Sequence, residues 1–286
     1  MNRGERMPKK ALLVGINDYK GINDLRGCVN DVLDMHFSLR SLFNFETREI
    51  RVLTDSRATR DNIIHRLKWL VDGTEAGDIR IFSFSGHGSQ IRDRDGDELD
   101  DNLDELICPY DMDWDGKFIT DDELNNILKD VPEGALLEVF LDCCHSGTGL
   151  REMGLEPPPE LAAPHPTLNR YLPPPADIFL RLSGEEDELN QKGFTKGFHE
   201  RSARHHILWA GCMAKQTSAD AFIDGRYHGA FTYYLNRHLR QNPRLSRREL
   251  LKKVRASLTH NGYSQVPQLE TEATGRERVV FTEEGV

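Results

Sequence analysis

Short apolar runs that alternate with amphipathic stretches constrain the fold of this chain more than any other feature. Six such runs are typical of strands buried on both faces, and they lie at residues 10–16, 50–53, 78–84, 135–141, 206–210 and 278–281. Apolar residues at helical spacing fill intervals at 27–45, 59–70, 121–130, 229–239 and 246–258. Strands separated by helices predict an α/β fold with a mostly parallel sheet of about six strands and helices on both faces.

Charge and composition exclude several classes of function. With 38% hydrophobic and 29% charged residues, the chain has the composition of an ordinary soluble globular protein. Its net charge of −10 argues against nucleic acid as a partner. No apolar run reaches the ~18 residues of a membrane span, and the start MNRGERMPKK lacks the apolar stretch of a secretory signal, so we expect a cytoplasmic protein without membrane contact. Five cysteines without metal-finger spacing indicate free thiols.

One segment interrupts the alternation. Residues 150–205 hold eight of the thirteen prolines, and proline at this density opposes both helices and central strands. We expect this segment to be a long surface loop or partly disordered.

Two glycine-containing motifs follow predicted strands. Ser85-Gly-His-Gly88 ends the third strand, and Asp142-Cys-Cys-His-Ser-Gly147 ends the fourth. Reactive groups of parallel sheets gather at the carboxyl ends of the strands. A cysteine thiol is only slightly ionised at neutral pH and needs a base within hydrogen-bond reach, which His87 would supply. The pair of motifs therefore predicts a Cys-His nucleophilic site.

Alternation of side chains along a strand distinguishes the two cysteines. Asp142 and Cys144 fall on one face and Cys143 on the other. Cys144 also lies nearer the glycine turn, where its own N–H can face an oxyanion. We therefore predict Cys144 as the nucleophile and Cys143 as a small packed residue, and we expect His145 to point away.

The chain resembles a metacaspase, a caspase-like cysteine peptidase of family C14, from about residue 9 to 282. The resemblance is carried by four stretches: Leu25-Arg-Gly-Cys-Val-Asn-Asp31, Ser85–Gly88, Asp142–Gly147 and Gln265-Val-Pro-Gln-Leu-Glu270. It implies a single caspase-hemoglobinase domain over residues 1–286. Residues 9–149 would be the large-subunit-like part, 150–205 an insertion or linker, and 206–282 the small-subunit-like part. It further implies an endopeptidase that cleaves after Arg or Lys, typically depends on calcium and often cleaves itself.

The resemblance also implies roles for residues around the predicted cleft. Asp31, Asp142 and Ser85 would form the specificity pocket, with Cys28 in its wall. Carboxylates at the bottom of a cleft pair with a basic side chain and repel an acidic one. The alternative for Asp31 is a cap on the helix that follows. In the mechanism, the N–H groups of Gly88 and Cys144 would hold the oxyanion.

An acidic region predicts a cation site. From Asp93 to Glu105 the chain carries eight carboxylates against one arginine, a density that favours either full solvation or a hard cation such as calcium. By the resemblance, Asp121 and Asp122 match paired aspartates that bind calcium, and Asp101 and Asp104 could contribute. Arg151 lies near where the family has another acidic ligand, which puts strict calcium dependence in question.

Partners and alternatives follow from the same residues. We expect the protein to be a monomer. Its expected partners are peptide substrates with Arg or Lys at the cleavage site and, in addition, an upstream activating protease or an inhibitor. Cleavage inside 150–205 would activate the enzyme, and the candidate sites are Arg151, Arg170, Arg181, Lys192, Lys196 and Arg201. One alternative is a catalytically silent caspase-like interaction module. Another is a zinc protein that uses Cys143, Cys144, His145 and His87, although this spacing fits no known zinc pattern.

Overall fold

A six-stranded sheet forms the centre of the molecule. The computed structural model describes residues 7–92, 103–144, 164–176, 178, 206–213 and 216–282. The strands are β1 (Lys9–Gly15), β2 (Ile50–Thr54), β3 (Ile79–Ser85), β4 (Gly88–Arg92), β5 (Leu103–Ile107), β6 (Ile119–Thr120), β7 (Leu136–Asp142), β8 (Leu168–Asn169), β9 (His206–Ala210), β10 (Ala219–Ile223), β11 (Arg226–Gly229) and β12 (Gln268–Glu270). The central sheet has the order β12-β9-β7-β3-β1-β2. All its pairs are parallel except β12 with β9.

Helices cover both faces of this sheet, as predicted. They are α1 (Cys28–Ser41), α2 (Arg60–Val71), α3 (Asp121–Leu128), α4 (Ala230–Gln241), α5 (Arg247–His260) and α6 (Ala273–Arg276). Apolar residues of α1, α4 and α5 join one hydrophobic cluster, and those of α2 and α3 join the other. Strand β1 serves both, because Ala11 and Leu13 face the first cluster while Leu12 and Val14 face the second.

The sixth strand is not where the sequence predicts it. The run at 278–281 forms no strand of the central sheet; the edge is instead β12, whose Leu269 pairs with Trp209 of β9. Val280 and Phe281 are fully buried, but the chain turns there, with a φ of 59° at Phe281. The apolar run is therefore explained by burial in the core, and its strand-like pairing is limited to an isolated bridge between Val279 and Ser246.

Two small antiparallel sheets extend the carboxyl end of the central sheet. One has the order β4-β5-β6 and the other β11-β10-β8. Strand β8 belongs to the proline-rich segment 150–205, so at least this part of the segment is paired and is not a free surface loop. The rest of that segment, apart from 164–176 and 178, lies outside the described residues. In the described part of the chain, no helix is long and apolar enough to cross a membrane.

A buried ion pair joins the sheet to the last long helix. Glu138 of β7 and Arg247 of α5 are both fully buried, and Arg247 Nε donates to Glu138 Oε1 at 2.9 Å. The same carboxylate accepts from Trp209 Nε1 at 2.8 Å and from the backbone N–H of Phe281 at 2.9 Å. Four donors therefore satisfy this buried charge, counting Arg247 Nη2 at 3.2 Å.

Removal of Arg247 should destabilise the fold strongly. Arg247→Met leaves the Glu138 carboxylate buried without its cation, and we expect the free energy of unfolding to fall by about 3–5 kcal/mol. Arg248→Met is the matched control, because the neighbouring pair Arg248–Glu277 is exposed and its loss should cost less than about 1 kcal/mol. Urea unfolding of both variants provides the measurement. Equal losses in the two would contradict a special role for the buried pair.

Candidate active site

The two predicted motifs lie side by side. Strands β3 and β7 are parallel neighbours, with Ser85 in register with Asp142, so His87 and Cys144 each follow two residues beyond a paired position. The backbones touch at this point, since a Cβ atom built on Gly88 would lie 2.2 Å from the Cys144 carbonyl oxygen. Only glycine permits this approach.

His87 is held as a neutral base. Its ring is 3% exposed, and Nε2 lies 2.8 Å from the backbone carbonyl oxygen of Asn23. Because a carbonyl can only accept, Nε2 must carry the proton and Nδ1 a lone pair. Nδ1 is buried and has no hydrogen-bond partner among the described residues. Burial lowers the pKa of His87 to about 4, so the ring stays unprotonated at neutral pH.

The two neighbouring thiols have different surroundings, as the strand alternation predicts. Cys144 is fully buried and its Sγ accepts the Ser218 backbone N–H at 2.5 Å. Asp142 Oδ1 accepts from the Ser218 hydroxyl, so Asp142 and Cys144 share a face. Cys143 packs into the hydrophobic cluster on the α2 and α3 side, and burial raises the pKa of its thiol. His145 lies outside the described residues.

The predicted specificity pocket holds a guanidinium from this chain, that of Arg170. Its Nη2 donates to Asp31 Oδ2 at 2.7 Å, and its Nη1 donates to Ser85 Oγ at 2.6 Å and lies 3.3 Å from Asp142 Oδ2. A third carboxylate, Asp220 Oδ1, accepts from Nη2 at 3.1 Å. Arg170 and all its partners here are buried. The carboxylates neutralise the guanidinium charge and so reduce the free-energy cost of removing it from water.

The carboxylates and the arginine stabilise each other's charged forms. Burial raises the pKa of Asp31 to about 6, and Arg170 opposes that rise. Burial by itself would lower the pKa of Arg170, but nearby acidic groups, with Asp142 foremost, raise it above its ordinary value. Burial also raises the pKa of Cys28, which is fully buried beside the pocket. A cation in the pocket therefore offsets part of the cost of burying these acids together.

The structure excludes a capping role for Asp31. The first residue before α1 is Gly27, which makes no side-chain cap, and Asn17 Oδ1 accepts the N–H of Cys28 at 2.8 Å instead. Asp31 points into the pocket, where it also accepts the N–H of Gly229 at 2.9 Å.

The carbonyl of Arg170 occupies the predicted oxyanion site. Its oxygen accepts the N–H of Gly88 at 2.9 Å and the N–H of Cys144 at 3.2 Å. Its N–H donates to the Ser218 carbonyl at 3.2 Å, which continues the antiparallel pairing of β8 with β10. Arg170 thus combines a basic side chain in an acidic pocket with a carbonyl held between two backbone donors, the two features expected of a residue bound at an oxyanion site.

Sequence reasoning missed three parts of this site. Asp220 follows no predicted strand and carries no motif, so nothing in the sequence marked it as a third pocket carboxylate. Asn23 contributes through its backbone carbonyl, and Ser218 contributes through its backbone N–H and through its hydroxyl, which donates to Asp142. A search for such residues from sequence alone would have had no signal.

The predicted metal ligands do not form a site within the described residues. Asp104 on β5 and Asp121 at the start of α3 are buried, Asp122 is partly buried, and Asp101 lies outside the described residues. Nowhere in the described part of the chain do three His, Cys, Asp or Glu side chains gather closely enough to bind a metal ion. The same finding counts against the zinc alternative for the residues that are described, Cys143, Cys144 and His87.

Comparisons with known proteins agree with this geometry. A family model described as "Metacaspase, peptidase C14 domain" matches residues 9–152. The chain is 32% identical to Metacaspase-1 of Schizosaccharomyces pombe (91% of this chain, 66% of that protein) and 35% identical to Metacaspase-1 of Coccidioides immitis (91% and 61%). Metacaspase-1 of Emericella nidulans is 35% identical (92% and 70%). The chain thus spans less than two thirds of the length of the first two.

Two solved structures share the fold. A protein from Geobacter sulfurreducens superposes with a TM-score of 0.65 and 24% identity, covering 96% of this chain and 99% of its own. Caspase-1 from Spodoptera frugiperda superposes with a TM-score of 0.59 and 12% identity, covering 99% and 93%. The fold is therefore that of the caspase-like α/β proteins. The chain belongs to the metacaspase family of C14 cysteine peptidases, as the motifs predict.

The ionisation of His87 can be measured directly. We expect its imidazole to titrate near pH 4 in the Cys144→Ala chain, because burial disfavours the charged form. The folded state then binds fewer protons than the unfolded state between about pH 6.5 and 4, so stability should fall as pH falls through this window. In the double variant Cys144→Ala/Arg170→Ala, we expect water to enter the emptied pocket and a positive charge near His87 to be lost, so the pKa of His87 should rise. NMR titration of the ring is the measurement, and an unchanged value in the double variant would contradict the assignment.

Proposed function

We propose that this chain is a cysteine endopeptidase that cleaves after arginine and whose first substrate is its own Arg170–Tyr171 bond. The observation that carries the proposal is the placement of Arg170, with its guanidinium among Asp31, Asp142 and Asp220 and its carbonyl between two backbone donors. The Arg170 side chain thus lies where the basic side chain of a substrate would bind, and the Arg170 carbonyl lies where the carbonyl of the scissile bond would bind.

The proposed mechanism uses groups gathered at this edge of the sheet, and its first step needs a small movement that brings the Cys144 thiol, which is hydrogen-bonded to Ser218, within reach of His87 Nδ1. His87 Nδ1 takes the proton of the Cys144 thiol, and the thiolate attacks the carbonyl carbon of the scissile bond. The N–H groups of Gly88 and Cys144 stabilise the oxyanion. The protonated His87 then gives its proton to the leaving amine, and water hydrolyses the thioester with His87 again as base. The Asn23 carbonyl keeps the ring in the required tautomer.

The same placement supports an inactive precursor. While Arg170 fills the pocket and Cys144 is fully buried, another peptide cannot enter. Cutting the bond after Arg170 would release the segment and open the cleft, in line with activation inside 150–205. An upstream protease that cuts the linker, or an inhibitor that mimics Arg170, would act on the same step.

The pocket favours arginine over lysine. Two terminal nitrogens of Arg170 reach Ser85, Asp31, Asp220 and the Asp142 carbonyl. A lysine ammonium is a single nitrogen and cannot occupy both positions, so it forfeits part of this set. An aspartate would face three carboxylates and be repelled.

Calcium stimulation is part of the proposal but not of the mechanism. The support is the run of eight carboxylates between Asp93 and Glu105, together with the family resemblance. Since the described residues alone do not form a metal site, no step is assigned to the ion. Its expected effect is to shift the chain from an inactive to an active state. All five cysteines are free, which supports a reducing compartment such as the cytoplasm.

Self-cleavage tests the proposal most directly. Mass spectrometry of the purified wild-type chain, incubated with calcium, should give fragments that end at Arg170 and begin at Tyr171. Cys144→Ala should stay intact, because the nucleophile is missing, whereas Cys143→Ala should still be cut. Arg170→Gln should not be cut at this bond, and Arg181→Gln is the matched control that should be.

Two outcomes would contradict this assignment. One is equal cleavage in the Cys144→Ala chain, which would point to another protease. The other is wild-type cleavage at other basic residues with the Arg170–Tyr171 bond intact. If no variant turns over any substrate, the chain is a catalytically silent interaction module.

Peptides that differ only in the residue before the scissile bond test the pocket. Coumarin amides of Thr-Leu-Asn-Arg, Thr-Leu-Asn-Lys and Thr-Leu-Asn-Asp should rank in that order, with lysine about tenfold or more below arginine and aspartate uncleaved. Asp220→Asn should lower kcat/KM for arginine more than for the already weaker lysine. Each assay is run with calcium and with a chelator, and equal rates would remove calcium from the proposal. Preference for aspartate would overturn the assignment of the pocket.

A further inference from the structure

The residues that follow Arg170 are held by a second edge of the cleft. Tyr171 lies beside Gly88 in a parallel bridge, at the start of β4. The Leu172 N–H donates to the Gly88 carbonyl at 2.9 Å, and the Leu172 carbonyl accepts the Ser89 hydroxyl at 2.5 Å. The residues before the scissile bond pair with β10, whereas the residues after it pair with β4.

Leu172 is the most buried of the described residues that follow Arg170 in this segment. It is 9% exposed and belongs to the hydrophobic cluster that also contains Ile91 of β4 and Ile107 of β5. Tyr171 before it is only partly buried, and Pro173 after it is exposed. Among these described residues, the second one after the bond is therefore the one whose side chain packs into the hydrophobic core.

From this arrangement we infer that β4 forms a substrate-binding edge for the residues after the scissile bond, with a subsite for a leucine-like side chain at the second position. The inference rests on the proposed function and adds to it a selectivity that the arginine pocket does not provide. Its substrate class is a chain in which a large aliphatic residue stands two positions after the arginine.

The geometry also links this edge to catalysis. Gly88 gives its N–H to the Arg170 carbonyl and its C=O to the Leu172 N–H, so one residue serves the oxyanion site and the new edge. Binding of the second residue fixes the orientation of the Gly88 peptide groups before the charge develops. Loss of this contact should therefore lower kcat as well as raise KM.

Three internally quenched peptides test the inference with the full-length chain after incubation with calcium. All begin with Thr-Leu-Asn-Arg-Tyr. The first continues with leucine, the second with alanine, and the third with a leucine whose amide N–H is replaced by an ester oxygen. We expect kcat/KM to fall about tenfold for alanine, because the buried side chain is lost, and about fivefold for the ester, because one hydrogen bond is lost.

Enzyme variants supply a second readout. Ser89→Ala should lower the ratio of kcat/KM for the leucine peptide to that for the Thr-Leu-Asn-Arg coumarin amide, which has no second residue after the bond. Because Ser89 is buried, this variant could fold poorly; the peptide series on the unmodified chain then decides by itself. Leu172→Ala should slow cleavage of the chain's own Arg170–Tyr171 bond relative to wild type.

The outcomes separate this inference from the proposed function. Equal kcat/KM for the three peptides, with the coumarin amide also cleaved, would overturn the subsite and leave the arginine peptidase intact. Absence of cleavage of all four substrates would overturn both. A drop for alanine without a drop for the ester would retain the apolar subsite but overturn the link through Gly88.

Discussion

The hydrogen-bonded register between β3 and β7 is the constraint on which the site depends. Ser85 pairs with Asp142, so everything two or three residues further along the two strands meets at one edge. The register places the Gly88 backbone against Cys144 and aims the Ser85 and Asp142 side chains at the same guanidinium. A one-residue slip would turn each of these side chains to the opposite face of the sheet. The fully buried strands that surround the pair make such a slip costly.

The second constraint on the site is the charge of its three buried carboxylates. Asp31, Asp142 and Asp220 come from three separate parts of the chain, and each is buried. Like charges at this separation are stable only when a cation joins them, so the pocket that would select arginine also requires one. Arg170 meets this requirement in the uncut chain. In the function proposed above, the preference for arginine and the blockage of the uncut chain would thus both result from one arrangement of charges.

Periodicity was enough to predict most of the architecture, and strand-end chemistry was enough to predict that the His87 and Cys144 motifs lie side by side, while the catalytic roles of these two residues stay predictions. Five of the six sheet strands and the five long helices lie where the apolar pattern placed them, within a few residues. The sixth strand was wrong because β12 has three residues and one buried leucine, too short for a periodic signal, whereas Val280 and Phe281 are buried without pairing. The pocket residues Asp31, Asp142 and Ser85 came from family resemblance, and Asp220 had no signal at all. Arg170 was one of six basic candidates in the linker. Its position next to β8 and its contacts in the pocket come from the structure, and the other five candidates lie outside the described residues.

The central sheet is itself built from both sides of the linker. Strand β7 precedes Arg170 in the chain, β9 follows it, and the two are parallel neighbours in register from Leu137–His206 to Leu141–Ala210. The buried Glu138–Arg247 pair crosses the same boundary. A chain severed after Arg170 would therefore remain one body, because its halves share a continuous ladder of backbone hydrogen bonds and a common core. Dilution would not separate the two fragments, because their dissociation would require unfolding of the central sheet.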